Sequence, residues 1–403
     1  MNLSTSSSER ALFARIFLAI LLGMGAALGL VRLFHVSTGI TADNFLGRVL
    51  QAKAALPRIT RESQELAMFF GSSMVQAGFS PRQFDREMAE RGMPVKSFNF
   101  GFGGLNPLFQ DILSRRVREQ FERDGRRLKI ALIEFNPFQA TITRRNGARE
   151  AEETMLAILG TPREFLRVLM EDPERGVRLF NIRYLRDGIS AEAFTSFVAG
   201  GMAPPRARTG IPEDEAAQSR RRELDKILDR RFEEDYPDHE DERWHYGWQG
   251  GGTIPAERSA ETLALFDEFY ATLRTEHRLD DDRLHRIHSA DIIELRFDPE
   301  LIEAFIGIVK NFQAISDRVE VLMLPKNGRW IENTPEAERR LAAAVARIEE
   351  ATGLSLHNDR ELPAITPEMF VDTTHLARYT GGVAYTRHLV EVLTPQPETT
   401  ATR

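Results

Sequence analysis

The sequence predicts an α/β protein whose parallel β-sheet is covered by helices on both faces. Short, nearly continuous apolar runs alternate with helical segments, a pattern typical of parallel strands that are buried on both faces. The runs that carry this prediction are, in chain order, Leu66–Phe70 (LAMFF), Pro94–Phe100, Leu128–Phe135 (LKIALIEF) and Val319–Leu324 (VEVLML). Two further observations complete the predicted architecture, namely an apolar N-terminal segment and a long, charged, mainly helical middle.

The N-terminal segment predicts a membrane anchor. Residues Ile16–Val31 (IFLAILLGMGAALGLV) carry no charge and are bracketed by Arg15 and Arg32. A spanning helix needs about 20 residues, and flanking Arg side chains can extend to the interface to supply the difference. A cleaved signal peptide is the alternative, although no small-x-small cleavage site follows the run. We therefore expect residues 1–35 to be an uncleaved, single-pass anchor in the inner (cytoplasmic) membrane, with the rest of the chain periplasmic.

The apolar runs and the charged middle divide the chain into segments. We expect an anchor at 1–35, a linker at 36–60, the first part of the α/β domain at 61–140, a helical insertion at 141–310, the second part of the domain at 311–394, and a polar tail at 395–403. Within the insertion, the aromatic side chains of Trp244, Tyr246 and Trp248 adjoin three glycines. Such a cluster either packs as an ordered loop on its own domain or forms a platform for a sugar ring.

Composition excludes several classes of function. The 403 residues include 53 basic and 60 acidic side chains, so the net charge is −7 and an electrostatic nucleic-acid surface is not expected. Cysteine is absent, which excludes disulfides, Cys-ligated zinc, iron–sulfur clusters and thiol catalysis. We expect no cofactor, no metal site and no nucleic-acid partner.

The first predicted strand leads into a candidate nucleophile. Gly71, Ser72 and Ser73 follow the apolar run directly. In open α/β sheets, ligands bind at the carboxyl ends of the strands, so a serine at this position is placed for chemistry. Taken alone, the tripeptide is more typical of a turn followed by a serine helix cap.

A second segment near the C-terminus carries a candidate base. Asp372, Thr373, Thr374 and His375 are consecutive. A neutral imidazole can take a proton from a serine hydroxyl when a carboxylate fixes its tautomer. An Asp three residues before a His on a tight turn can supply both groups. The alternative is that Asp372 caps a helix that begins near Thr373.

Two segments between these carry hydrogen-bond donors. Residues Asn99–Gly104 (NFGFGG) form a glycine-rich turn after a predicted strand, and Asn136 follows the clearest strand. A backbone N–H and an Asn amide are donors suited to an oxyanion hole. The glycines also fit a phosphate cradle, but the run lacks the lysine of a P-loop and its spacing differs from that of the dinucleotide-binding fingerprint.

In the order Ser, Gly, Asn, Asp–His, these segments resemble the four blocks of the SGNH (GDSL-like) hydrolase superfamily. The resemblance covers residues 64–140 and 315–392 and implies a flavodoxin-like three-layer sandwich. It implies that Ser73 is the nucleophile and that His375 is the base. It further implies that Asp372 orients the base and that the oxyanion donors are Ser73, Gly104 and Asn136.

Two blocks depart from the superfamily pattern. Ser72 replaces the usual Asp of the first block, and Glu134 and Phe135 replace the usual glycines of the third. These departures, together with the N-terminal anchor, are similar to the membrane-anchored extracytoplasmic branch that includes the D-alanyl transfer protein of teichoic acids and the alginate O-acetylation proteins.

The branch implies a function in acyl transfer. We expect an O-acetyl or similar acyl group to be passed, through a serine acyl-enzyme, to a cell-surface polysaccharide or other cell-envelope polymer. The expected partner is a membrane-bound O-acyltransferase. The alternatives are a membrane-anchored carbohydrate or lipid esterase, or a non-catalytic scaffold that binds the polymer or the acyltransferase.

Overall fold

The computed structural model describes residues 7–38, 44–146, 149–184, 215–235, 260–276, 294–329, 331–372, 374–378 and 380–394. The chain divides into two compact units. The smaller unit comprises Met1–Leu50 and Glu153–Arg206, and the larger unit comprises Gln51–Glu152 and Ala207–Arg403.

The larger unit contains a five-stranded sheet in which all strands run parallel. The strands are β1 (Leu66–Ser72), β2 (Lys96–Phe102), β3 (Leu128–Glu134), β4 (Ser316–Met323) and β5 (Leu356–Asn358). They lie in the order β2-β1-β3-β4-β5, one of the two common orders of doubly wound sheets. The predicted α/β class with a parallel sheet is therefore confirmed. The sequence analysis missed β5, because this strand has three residues and none of them is buried.

The described residues form helices along the whole chain, and some of those in the larger unit connect the strands and cover the sheet. The helices are α1 (Ser7–Thr38), α2 (Asn44–Ile59), α3 (Ser73–Gly78), α4 (Pro81–Glu90), α5 (Pro107–Arg123), α6 (Ile142–Asn146), α7 (Arg149–Leu159), α8 (Pro162–Glu171), α9 (Pro173–Tyr184), α10 (Glu215–Asp235), α11 (Ala260–Glu276), α12 (Pro299–Ile315), α13 (Pro335–Thr352) and α14 (Gly381–Leu393). Many begin with a proline, whose missing N–H is not needed in the first turn.

The side chains of each strand alternate between two helical layers. Phe69 of β1 lies in a buried cluster with Phe84 of α4 and Leu389 of α14. The next residue, Phe70, points to the opposite face, where its ring centroid lies 5.0 Å from that of Phe312 on α12. Helix α5 packs against α12 on that face. Because both faces are covered, strands such as β1 carry apolar side chains on both faces, which explains the apolar runs in the sequence.

The N-terminal region differs in part from the expected linker. Residues 36–60 include helix α2, and its side chains Val49, Ala52, Leu56 and Ile59 are buried. Apolar residues three or four apart form one helix face, which explains why this segment is helical. Among the described residues, no helix has the length and apolar character needed to cross a membrane. The anchor at 1–35 stays a prediction.

The smaller unit includes a helical hairpin, α8–α9. Thr161 and Glu164 form a capping box at the start of α8, which fixes where that helix begins. Arg183 of α9 donates hydrogen bonds to the carbonyl oxygens of Ala157 and Gly160, at 3.2 and 2.7 Å. These residues belong to the segment predicted to be a helical insertion, and the described parts of that segment are helical.

The long connection from β3 to β4 begins and ends at neighbouring positions in the fold. Thr141 and Phe297 form an isolated antiparallel bridge, and the N–H of Ile142 donates to the carbonyl oxygen of Arg296 at 2.8 Å. Helix α12 then starts at Pro299 and packs on the sheet, so the chain returns to the α/β layers before residue 310.

Two glycines allow α3 to lie directly against the ends of β1 and β2. Gly71 and Gly101 are partners in the parallel register of these strands. A Cβ on Gly101 would overlap the backbone of Gln76 in α3, and a Cβ on Gly71 would overlap Glu134 and Val75. The glycines are therefore required by close approach and not by backbone conformation, since neither has a positive φ.

We predict that Gly101→Ala lowers the free energy of unfolding by about 3 kcal/mol, because the added methyl group must displace the α3 backbone. Urea unfolding measures the change. Gly328→Ala is the matched control, since no atom lies within 4 Å of its added Cβ, and its effect should stay below about 0.5 kcal/mol. Equal effects of the two substitutions would contradict the close approach.

Candidate active site

The structure brings Ser73 and His375 into hydrogen-bond contact. Ser73 is the first residue of α3, at the carboxyl end of β1. Its Oγ lies 2.7 Å from Nε2 of His375, a residue 302 positions later in the chain. Ser73 is half-buried, so its hydroxyl faces the edge of the sheet where ligands bind.

A tight turn orients His375. Oδ1 of Asp372 accepts the backbone N–H groups of Thr374 and His375, at 2.8 and 2.7 Å, and Oδ2 lies 2.7 Å from Nδ1 of His375. A carboxylate only accepts hydrogen bonds, so Nδ1 carries the proton and Nε2 is left to accept from Ser73. The alternative of a helix cap at Asp372 is wrong, because residues 374–378 are not helical and the next described helix begins at Gly381.

Mutual stabilisation shifts both pKa values. Burial alone would lower the pKa of His375, but the hydrogen bond and charge of Asp372 and the charge of Glu134 raise it above 6.5. Burial alone would raise the pKa of Asp372, but the hydrogen bond and charge of His375 and two backbone N–H groups lower it below 3.8. The two side chains are 30% and 29% exposed, so solvent and substrate can reach them.

The structure distinguishes the two adjacent serines. The Ser72 hydroxyl donates to Oε1 of Glu134 at 2.9 Å and accepts from the Met74 N–H at 3.2 Å and the Asn136 amide at 3.0 Å. A hydroxyl has one donor and two acceptor positions, so all of its capacity is used. Ser72 is also completely buried. The hydroxyl that contacts the imidazole belongs to Ser73.

The sequence analysis did not give Glu134 a role in the site. This residue ends β3, is 2% exposed, and accepts hydrogen bonds from both the N–H and the hydroxyl of Ser72. Burial raises the pKa of Glu134 to about 7, although the hydrogen bonds from Ser72 and the charge of His375 act in the opposite direction. The signal was present, because a Glu inside a buried apolar run needs a partner.

The glycine-rich segment Asn99–Gly104 lies beside Ser73, but its first residues belong to strand β2 and not to a turn. The turn itself contains Gly103 and Gly104, and Gly104 has a φ of +73°, which favours glycine. A Cβ on Gly103 would lie 3.8 Å from the Cβ of Ser73. Asn99, in contrast, lies within β2. Its amide donates to the carbonyl oxygen of Phe79, and thereby holds the chain just after α3.

Asn136 reaches the same edge of the sheet. Its Oδ1 accepts from the N–H of Phe138 at 3.0 Å, which leaves the NH₂ group directed at the site. That group contacts the hydroxyl of Ser72 at 3.0 Å and the sulfur of Met74 at 3.4 Å. The predicted oxyanion donors Ser73, Gly104 and Asn136 therefore all lie on the segments that surround Ser73.

A cavity opens next to Asn136. Its lining includes the apolar side chains of Met74, Phe138, Leu295 and Leu324 and the cationic side chains of Lys326 and Arg360. Leu295 is 1% exposed and has a φ of +47°, a conformation that non-glycine residues adopt at a cost of about 1 kcal/mol or more. Strain of this kind is often found near functional sites.

The predicted aromatic cluster of Trp244, Tyr246 and Trp248 lies outside the described residues. So does the tail at 395–403. In the described ranges, no group of three or more His, Asp or Glu side chains is placed to hold a metal ion. No family model and no curated protein matches the chain.

The pH dependence of stability tests the contact between Asp372 and His375. The pair raises the pKa of His375, so its stabilisation is fully present below pH 6.5 and is lost as the pH rises through the folded-state value. We predict that Asp372→Asn lowers the free energy of unfolding by about 1 kcal/mol near pH 6 and by less near pH 9.

Urea unfolding at both pH values measures this difference. Asp298→Asn is the control, because Asp298 caps α12 and Asn is an equally good cap. An equal loss of stability by Asp372→Asn at the two pH values would show that the ion pair does not form in solution.

Proposed function

We propose that this protein is a serine-dependent acyl-transfer enzyme of the SGNH type. One observation carries the proposal: the unbroken chain of contacts from Ser73 Oγ to His375 Nε2 and from His375 Nδ1 to Asp372 Oδ2, each at 2.7 Å. A nucleophile, a base and a residue that orients the base are the three groups that serine acyl transfer requires. The open edge of the sheet leaves room for a substrate.

The acylation step follows from this geometry. Ser73 Oγ attacks the carbonyl carbon of an acyl donor while Nε2 of His375 takes its proton. The resulting imidazolium is stabilised by Asp372. The bond from the carbonyl carbon to the leaving oxygen then breaks, and that oxygen takes the proton from Nε2. The product is an ester between Ser73 and the acyl group.

The second step reverses the first with a different alcohol. An acceptor hydroxyl gives its proton to Nε2 and attacks the ester, and the Ser73 oxygen leaves and recovers the proton. The oxyanion in each step is bound by the N–H groups of Ser73 and Gly104 and by the Asn136 amide, with each donor contributing about 3 kcal/mol. The amide NH₂ of Asn136 has two N–H donors and contacts both the Ser72 hydroxyl and the Met74 sulfur. Because sulfur is a weak acceptor, the N–H that it receives can be given to the oxyanion at low cost.

The acceptor and the location form the second half of the proposal. The order of the four segments and the apolar run at Ile16–Val31 support an anchored, periplasmic enzyme that acylates a cell-surface polysaccharide or other cell-envelope polymer. A membrane-bound O-acyltransferase would supply the acyl group. The parallel sheet and its covering helices are compatible with a three-layer SGNH sandwich.

Covalent labelling tests the nucleophile. We predict that the full-length protein in detergent reacts with a fluorophosphonate probe and that peptide mass spectrometry finds the adduct on Ser73. Ser73→Ala should abolish labelling, and His375→Ala should slow it by about 1000-fold or more, because the hydroxyl is then not deprotonated. Ser80→Ala is the control, since its hydroxyl does not cap α4, and it should label at the wild-type rate.

An adduct on a residue other than Ser73 would contradict the assignment of the nucleophile. A folded wild-type protein that does not react at all would favour the non-catalytic scaffold.

An acceptor assay separates transfer from hydrolysis. We predict that a soluble polysaccharide increases the rate at which a nitrophenyl ester is consumed and itself becomes acylated, because a hydroxyl competes with water for the acyl-enzyme. Mass spectrometry of the polysaccharide measures acylation, and Ser73→Ala is the blank. Ester consumption without acylation of any polysaccharide would identify the anchored esterase instead.

A further inference from the structure

The active site contains a second carboxyl group that the triad does not use. Glu134 lies at the end of β3, directly under the Ser72–Ser73 segment. One oxygen accepts the backbone N–H of Ser72 and the other accepts the Ser72 hydroxyl at 2.9 Å. Two hydrogen bonds to one residue fix both its backbone and its side chain, and the next residue in the chain is Ser73.

The direction of the surrounding hydrogen bonds favours a charged carboxylate at Glu134. The Ser72 hydroxyl receives hydrogen bonds from the Met74 N–H and the Asn136 amide, so its own proton must point to Glu134. A protonated Glu134 could still accept from Ser72, but its own O–H would be a further donor beside the N–H and hydroxyl of Ser72, which both donate to it. A charged carboxylate accepts both hydrogen bonds without adding a donor. The hydrogen bonds of the network are therefore best matched when Glu134 carries a negative charge.

We propose that Glu134 is a positioning residue for Ser73 and that its carboxylate holds the site in its active arrangement. It acts through Ser72, whose hydroxyl links it to the start of α3 and to the Asn136 amide. It also provides, beside Asp372, a second negative charge for the imidazolium of His375. This inference rests on the proposed function, since it takes Ser73 as the nucleophile.

The charges around Glu134 determine how it responds to pH. His375 faces it and lowers its pKa, while burial raises that pKa to about 7. Burial and the charge and hydrogen bond of Asp359 raise the pKa of the Tyr385 phenol in α14, and the charge of Glu134 acts in the same direction. Lys326 and Arg360 line the cavity that Glu134 also borders. The site is in its active form when Glu134 carries a negative charge and His375 is neutral.

The test uses Glu134→Gln in the full-length protein in detergent, with two readouts. The first is the pKa of His375 from ¹³C-histidine NMR, assigned with His375→Gln. The second is the pH profile of the fluorophosphonate labelling rate. We expect the pKa of His375 to fall by about half a unit or more, because a neighbouring negative charge is lost. The acidic limb of the profile should shift equally, and the plateau rate should fall about tenfold or more through misplacement of Ser73.

Two further variants separate the contributions. Asp85→Asn removes a carboxyl of α4 that also accepts a backbone N–H, from Ser97 at 2.8 Å, and whose pKa burial likewise raises to about 7. It is not part of the site and should change neither readout. Ser72→Ala keeps the Glu134 charge and the hydrogen bond from the backbone N–H, but removes the hydroxyl that links Glu134 to the Met74 N–H and the Asn136 amide. The plateau rate should therefore fall while the pKa of His375 stays near the wild-type value.

Unchanged readouts in Glu134→Gln would overturn the inference, as would a fall in rate of the same size in Asp85→Asn. If Glu134→Gln does not fold, a wild-type plateau rate in Ser72→Ala overturns the positioning role. Failure of the proposed function is distinguishable, because an unreactive wild-type protein still allows the NMR measurement, which reports the effect of Glu134 on His375 without any labelling.

Discussion

The arrangement of the site depends on the close approach of α3 to the ends of β1 and β2. Gly71 and Gly101 lie opposite each other in the register, and neither position has room for a Cβ. This approach places Ser73 at the sheet edge and Ser72 on Glu134. Asn99 secures the other end of α3 through its amide. The glycine pair that begins α14 likewise allows this helix to lie close to α3, because a Cβ on Gly382 would lie 3.1 Å from the carbonyl oxygen of Ala77 in α3.

Those features that depend on the chain pattern were predictable from the sequence. Strands buried on both faces are continuous apolar runs, so β1 to β4 were located to within a few residues. The end-of-strand rule then brought Ser73, Gly104 and Asn136 to one edge. Strand β5 was not predictable, because Leu356–Asn358 is too short and too exposed to leave a pattern.

The remaining features depend on contacts between distant residues and leave no local signal. The choice between Ser72 and Ser73 follows from where Glu134 and His375 lie, and these are 62 and 302 residues away from their serines. Asp372 was equally compatible with a helix cap, since an Asx turn and an N-cap use the same side-chain contact to backbone N–H groups. Only the fold selects between them, because α14 starts later, at Gly381.

The bridge between Thr141 and Phe297 has a consequence for how this chain can vary. The two ends of the long connection are joined by main-chain hydrogen bonds. The distance that it spans between the α/β layers is therefore short, whatever the number of residues in between. Such a junction tolerates insertion and deletion, since the strands on either side need no adjustment. The α/β layers and the inserted segment are thus free to evolve at different rates, and the segment can be exchanged while the sheet and the residues at its edge stay unchanged.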